Sequence, residues 1–405
     1  MPDAGVLIAH PTRQHSHRLA QALLREGLLQ SYWTLLPDED ALPWIPKQLL
    51  KQLPSTIRRH PLKELPRQNL HVLLGPLLGQ KLGSRFSSLN VRLSGEWFAW
   101  ALFDHWVALQ LSKVRPKVVV GYEMCCARTF CVAKSLGIKC VLDAAAVHYQ
   151  LQEQLLADGR EGRSCPAGRR LRARKAVEIE LSDKIICVSD FARSSYASAG
   201  VDRSKLLVNP VGCDVMAFSR VAARERTGPP KFVYAGIPAA HKGFDLLVQT
   251  FDRLRQEYEK AELHIAGDPA FVSRFVAEPL GGLTIHGKLS HADLIELLAN
   301  MDCLVLPSRL ESFGMVTVEA LAAGIPVIVS DHAGSAEAIR NGENGWVFTA
   351  GNVDELYERM AACCENIDHV RTKRTICTES ARTYDWSHYS RRCVEIFSEL
   401  LRSMP

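Results

Sequence analysis

From residue 231 to about 350, short apolar runs alternate with helix-spaced segments. "KFVYAG" precedes "GFDLLVQTFDRL", "AELHIAGD" and "LTIHG" precede "HADLIELLANM", and "DCLVLP" and "PVIVS" flank "MVTVEALAAG". Strands this short and this apolar carry no polar face to turn to water. They must be buried on both sides, which a parallel sheet covered by crossover helices provides. The first half repeats the rhythm more faintly. "GVLIAH", "KVVVGY", "KCVLDA" and "DKIICVSD" read as strands, "QHSHRLAQALLREG" as a helix closed by Gly27, and "SGEWFAWALFDHWVALQLS" as an apolar helix packed on the sheet. The expected fold class is α/β, with two doubly wound Rossmann-like domains facing a cleft. They join at "LLVNPVGCDVMAF" (206–218), where Pro210 and Gly212 interrupt the pattern.

Length agrees, since 405 residues exceed one ordinary core. With 47% hydrophobic and 23% charged residues the composition is that of a soluble globular protein. No apolar run is long enough to span a membrane, and Met1-Pro2-Asp3 does not open a signal peptide, so a cytoplasmic location is expected. The 12 cysteines stand singly or as neighbours, without C-x-x-C spacing. That argues against zinc and for free thiols in a reducing compartment.

Ligands of doubly wound sheets lie beyond the carboxyl ends of the strands. Gly236, Gly267 and the stretch from Pro307 to Gly314 should therefore line one cleft. Within "CLVLPSRLESFGMVTVEALAAGIP", Glu311 falls in the loop after a strand and Glu319 inside the next helix. Gly324 can supply the left-handed residue that ends this helix, and Pro326 prevents its continuation. The amides of Phe313, Gly314 and Met315 then point from a helix N-terminus into the cleft, a position suited to an anion. Glu319 can accept two hydrogen bonds from a cis-diol such as a ribose. The plainer alternative makes Glu319 a charge that favours the helix dipole and Glu311 a solvated loop residue.

The stretch resembles the E-x(7)-E donor motif of the family-4 retaining glycosyltransferases, which share the two-domain GT-B fold. "FVYAGIPAAHKGFDLLVQTF" is similar to that family's strand, phosphate-contact loop and lysine. "LHIAGD", "IHGKLSHADLIELLANMDCLVLPS" and "AGIPVIVSDHAGSAEAI…NGENGWVF" follow in order and spacing, and the likeness covers roughly residues 180 to 350. It implies a UDP- or GDP-sugar donor and a saccharide or lipid-linked acceptor. Glu319 would hold the nucleotide ribose and Glu311 the hydroxyls of the transferred sugar. The amides of Ser312, Phe313, Gly314 and Met315 would bind sugar and diphosphate, and Lys242 would neutralise the leaving diphosphate. Gly236 would allow close backbone approach, Gly287 and Lys288 would lie near the base, and His148 beside the donor sugar. The catalytic set implied is Glu311, Lys242 and His148. The domains would run from 1 to 210 and from 211 to 385, with the terminal helix (about 386–405) packing back on the first.

One departure matters. Where the family commonly has an arginine after the glycine of the phosphate loop, this chain has Ile237. The task of that cation then passes to Arg309, Lys288 or the helix N-terminus at Gly314, or the chain is a silent nucleotide-binding partner. A nucleotide-sugar epimerase of the same fold is another reading. The resemblance implies retention of anomeric configuration, and no cofactor or metal is expected. "DED" at 38–40 has a D-x-D outline but sits far from the donor motif, so Asp38 and Asp40 read as a solvated turn.

In the first half, "HPTRQHSHRLAQALLREG" carries His10, Arg13, His15 and His17 in a strand-to-helix loop. They read equally as contacts to a hydroxylated or anionic acceptor or as a polar helix start. Residues 47 to 86 hold eight Lys or Arg against one acid, Glu64, with leucines interleaved and Trp44 just before; a second basic cluster runs from 159 to 175. These suggest docking on the anionic inner face of the cytoplasmic membrane, or else a solvated insertion with its leucines turned inward. Nucleic acid is not an expected partner.

Overall fold

The computed structural model describes residues 5–12, 14–35, 65–73, 89–156, 166–221, 225–276 and 280–404. Arg13, the "DED" turn, Trp44, most of the 47–86 basic stretch and residues 159–165 lie outside the described residues. Two parallel sheets organise the rest. The first contains β1 (Val6–Ala9), β2 (Leu29–Thr34), β3 (Leu70–Val72), β4 (Val118–Tyr122), β5 (Lys139–Ala144), β6 (Lys184–Cys187) and β7 (Leu206–Val208), in the order β3-β2-β1-β4-β5-β6-β7. The second contains β8 (Lys231–Ala235), β9 (Glu262–Ala266), β10 (Leu283–Ile285), β11 (Cys303–Leu306), β12 (Val327–Ser330) and β13 (Gly345–Phe348), in the order β10-β9-β8-β11-β12-β13. Every pairing within these sheets is parallel.

The central strands β1, β4, β11 and β12 are buried throughout, as their unbroken apolar sequences require. The helix Leu89–Val114 covers one face of the first sheet, with Phe103, Val107 and Leu111 fully buried against it. Phe98, Leu102 and Leu109 of the same helix are exposed.

Both strand orders reverse direction once, between β1 and β4 and again between β8 and β11. Helices feed opposite faces of the sheet on the two sides of such a switch point, so the strand-end loops part and leave a crevice. The chain passes between the sheets twice, and the two crossings pair. The Cys213 amide donates to the Tyr384 carbonyl (2.8 Å), and the Trp386 amide to the Cys213 carbonyl (3.3 Å). The terminal helix Trp386–Arg402 then returns to the first sheet. Its Tyr389, Cys393, Ile396 and Phe397 bury against Leu19, Leu23 and Tyr32 of the first half, beside the helix Ser16–Arg25.

Candidate functional site

The two switch points face each other, and a cavity of about 580 Å³ lies between them. Gln14 and His15 from the loop after β1 and His17 from the first turn of the helix Ser16–Arg25 line one side, and Gly236, Ile237 and Lys242 from the loop after β8 line the other. Glu311, Ser312, Phe313, Gly314 and Met315 close its floor, and Trp386 of the second crossing reaches in as well.

The floor is built by backbone geometry. Gly314 has φ of +94°, and a Cβ there would fall 2.8 Å from Leu306 Cδ2. Glycine is therefore required for the chain to turn from β11 into the helix Met315–Ala322. It is also the residue that caps this helix, so no capping side chain competes for the first amides. The first four amides of a helix have no partner within it, and they carry its positive end. An anion in the cavity would meet those amides directly.

Lys242 Nζ donates to Glu311 Oε2 across the β8–β11 switch point. The pair brings an ammonium and a carboxylate to one spot, where a phosphate could claim the first and sugar hydroxyls the second. Ser312 joins the two halves: its Oγ accepts from the Val147 amide (3.1 Å), and its carbonyl accepts from Ser189 Oγ (2.7 Å). The Asp190 amide adds a bond to Glu337 (2.8 Å). The halves are thus held together over the Glu311 loop.

Other residues predicted from the sequence lie apart from this cavity. Glu319 does not line it; the residue is half-buried, and the desolvation of its carboxyl pushes its pKa up to about 7. Burial raises the Cys213 thiol, and the charge of Glu319 raises it further. His148 caps the helix Tyr149–Leu155, with Nδ1 accepting from the Gln150 amide (3.3 Å). Its ring packs on Tyr149 and Tyr196 and lines a separate cavity with Ile179 and Lys205. Burial first, then Lys175, lowers its pKa to about 4, so it is neutral at pH 7. Lys288, beside left-handed Gly287, reaches away to Asp268 (2.8 Å). Arg309 forms a bidentate pair with Asp245 (2.6 and 2.7 Å).

His10 is buried, its pKa lowered to about 4 by that burial. His15 makes the contact that sequence reasoning missed: Nε2 stands 3.0 Å from both Oδ1 and Oδ2 of buried Asp143. A signal existed, because Asp143 is an acid near the cleft end of "KCVLDA", a strand that is apolar after its exposed Lys139. The partner lies 128 residues away and is brought near only by the sheet order. Among the described residues, no group of three or more His, Cys, Asp or Glu side chains is placed to hold a metal ion.

The architecture is the GT-B fold, two Rossmann-like sheets with a cleft between their switch points. Over 98% of this chain and 100% of the other, it matches the structure of Anabaena Alr3699/HepE solved in complex with UDP (TM-score 0.65, 15% identity). Residues 216–383, the second sheet and its helices, match the family described as glycosyl transferases group 1. Glycogen synthase of Mycobacterium tuberculosis is 31% identical over 183 residues, 44% of each chain. Phosphatidyl-myo-inositol mannosyltransferase of Mycobacterium leprae is 27% identical over 225 residues, 54% of this chain and 59% of that one. The chain thus spans about half the length of the curated relatives it matches.

Proposed function

We propose that the chain is a glycosyltransferase that moves a sugar from a UDP- or GDP-sugar to a saccharide or lipid-linked acceptor. The observation that carries this reading is the Lys242–Glu311 pair beside the helix N-terminus at Gly314, in one cavity at the switch point. A leaving diphosphate develops negative charge, and positive groups fixed in advance around it lower the barrier most. Lys242 and the amides of Phe313 to Met315 fill that role here. Glu311 receives the sugar hydroxyls, and Glu319, which stands behind the cavity floor and does not line it, would take the ribose in the manner of the E-x(7)-E motif of family-4 enzymes. Retention of configuration and independence from metal belong to the same proposal.

Its setting is the inner face of the cytoplasmic membrane, in polysaccharide or glycolipid assembly. The basic stretch 47–86 and the exposed Phe98, Leu102 and Leu109 support that placement. Among the described residues no helix is long and apolar enough to cross a membrane.

A second reading, a silent nucleotide-binding partner, is favoured by one observation: Ile237 stands exposed in the cavity wall where a cation would serve the diphosphate. Incubation with radiolabelled UDP-glucose, UDP-galactose and GDP-mannose, with and without lipid and saccharide extracts, separates the readings. Acceptor-dependent transfer with the donor's anomeric configuration is expected. Binding without turnover favours the silent partner, and release of an epimerised sugar favours an epimerase. Neither binding nor turnover sinks all three.

A further inference from the structure

Three cations of the second half considered for the diphosphate each pair with an acid in the structure, and of them only Lys242 lines the cavity. Lys242 bonds Glu311, Arg309 is held by Asp245, and Lys288 by Asp268. Ile237, 65% exposed, adds only apolar surface to the wall beside Gly236.

Across the cavity the first half has built a different group. Gln14 has φ of +28°, a region sparsely used by residues with a Cβ. Such strain persists where the surroundings over-determine the conformation. Here the next residue, His15, is clamped by both carboxylate oxygens of Asp143, which is only 2% exposed. Its ring also packs edge-on against Tyr122 and Tyr389. With Nε2 committed to Asp143, Nδ1 is the nitrogen left to the cavity that His15 lines.

We propose that His15, oriented by Asp143, donates a hydrogen bond to the leaving diphosphate from the first domain, opposite Lys242. The inference rests on reading the cleft as a nucleotide-diphospho-sugar site, and adds to it a donor-binding residue from the other half. In the transfer, the bond between the anomeric carbon and the phosphate oxygen breaks, and its electron pair stays on that oxygen. The carbon bonds to the acceptor oxygen, whose proton passes to the departing phosphate. His15 N–H lies against the oxygen that gains charge and gives up no proton.

The groups facing the ring are Asp143 on β5, His10 after β1, Tyr122 on β4 and Tyr389 on the terminal helix. Burial disfavours the imidazolium, but the charge and hydrogen bond of Asp143 outweigh it and raise the His15 pKa. His10 is lowered to about 4, and burial pushes both tyrosines well above the usual phenol range, so all three are neutral at pH 7. The donor N–H is therefore present below the raised pKa and lost as pH rises through it.

The test uses the full chain and release of UDP or GDP from radiolabelled UDP-glucose, UDP-galactose and GDP-mannose, with calorimetric binding of UDP and GDP alongside. His15→Gln should lose about 100-fold in kcat, the scale for one donor aimed at a developing anion, with KM moved far less. It should also lose the alkaline limb of the kcat profile, while Asp143→Asn shifts that limb to lower pH. Adding Ile237→Arg to His15→Gln should restore about tenfold or more, which a merely structural role for the loop would not allow. A His15→Gln enzyme within about twofold of wild type, or one that keeps the alkaline limb, overturns the inference while leaving the reading of the cleft intact. A wild-type chain that neither binds UDP or GDP nor releases them overturns both.

Discussion

At the residue scale, the two glutamates have separate environments, and their roles can be separated by experiment. Glu311 meets Lys242 in the cavity, whereas Glu319 is half-buried outside it, with desolvation raising its pKa to about 7. A carboxyl so raised holds its proton in the folded chain at pH values where the unfolded chain has lost it. Ionising it as pH climbs toward 7 therefore costs stability. A ribose diol donating two hydrogen bonds favours the ionised form, so nucleotide binding should expel a proton. Calorimetry of UDP and GDP at pH 6.5 in buffers of different ionisation heat should find more proton release in the wild type than in Glu319→Gln. The same variant should lose about 1–3 kcal/mol of affinity, the scale for hydrogen bonds to a charged group. Glu311→Gln should keep its affinity for free nucleotide, since it frees Lys242 for the diphosphate, and turn over slowly, since in the proposed reading it would lose its contact with the sugar. Equal loss of nucleotide affinity in both variants would end this division of roles.

At the scale of elements, the loop after β8 and the loop after β11 meet backbone to backbone. Gly243, with φ of +66°, separates the turn Ala240–Lys242 from the helix Phe244–Glu257, and a Cβ there would lie 1.8 Å from the Pro307 carbonyl oxygen. That close approach brings Lys242 to Glu311, since each residue sits one or a few positions from the contact. Gly243→Ala combines a left-handed backbone with a clash against backbone, and should destabilise the second domain by about 2–4 kcal/mol. Urea unfolding followed by tryptophan fluorescence measures it. A midpoint unchanged from wild type would mean that the two loops can part without cost, and that the pairing of Lys242 with Glu311 does not depend on this glycine.

At the scale of the molecule, two charge balances give further expectations. In the proposed reading Lys242, His15 and a helix N-terminus face the leaving diphosphate in place of a metal, so transfer should survive EDTA. Complete loss that magnesium or manganese restores would instead assign a role to Asp38 or Asp40, outside the described residues. The basic stretch 47–86 should hold the chain on anionic vesicles at low salt. Each Lys or Arg near such a surface contributes about 1 kcal/mol, falling off within a Debye length. Flotation with phosphatidylglycerol vesicles should be lost in the triple variant Arg58→Glu, Arg59→Glu, Lys63→Glu. Wild-type protein that stays at the bottom of the gradient would make this stretch a solvated insertion.

Periodicity by itself determined the parallel two-sheet architecture, because apolar runs such as "KFVYAG" and "CLVLP" leave no face for water. It also placed Gly236 and Glu311 on one cleft, since both follow the carboxyl ends of neighbouring strands, while Lys242 came from the family resemblance and Gly267 does not line the cavity. Gly314 and Gly324 were legible as the limits of a helix, and both take positive φ. Side-chain commitments were not legible, because they depend on which elements the sheets make neighbours. Tertiary structure alone decided that Arg309 turns to Asp245, that Lys288 turns to Asp268, and that the His148 ring faces Tyr196. It alone joined His15 to Asp143 across β1, β4 and β5. A charge is attracted by whatever stands near it in space, and sequence spacing carries that information only within a single element.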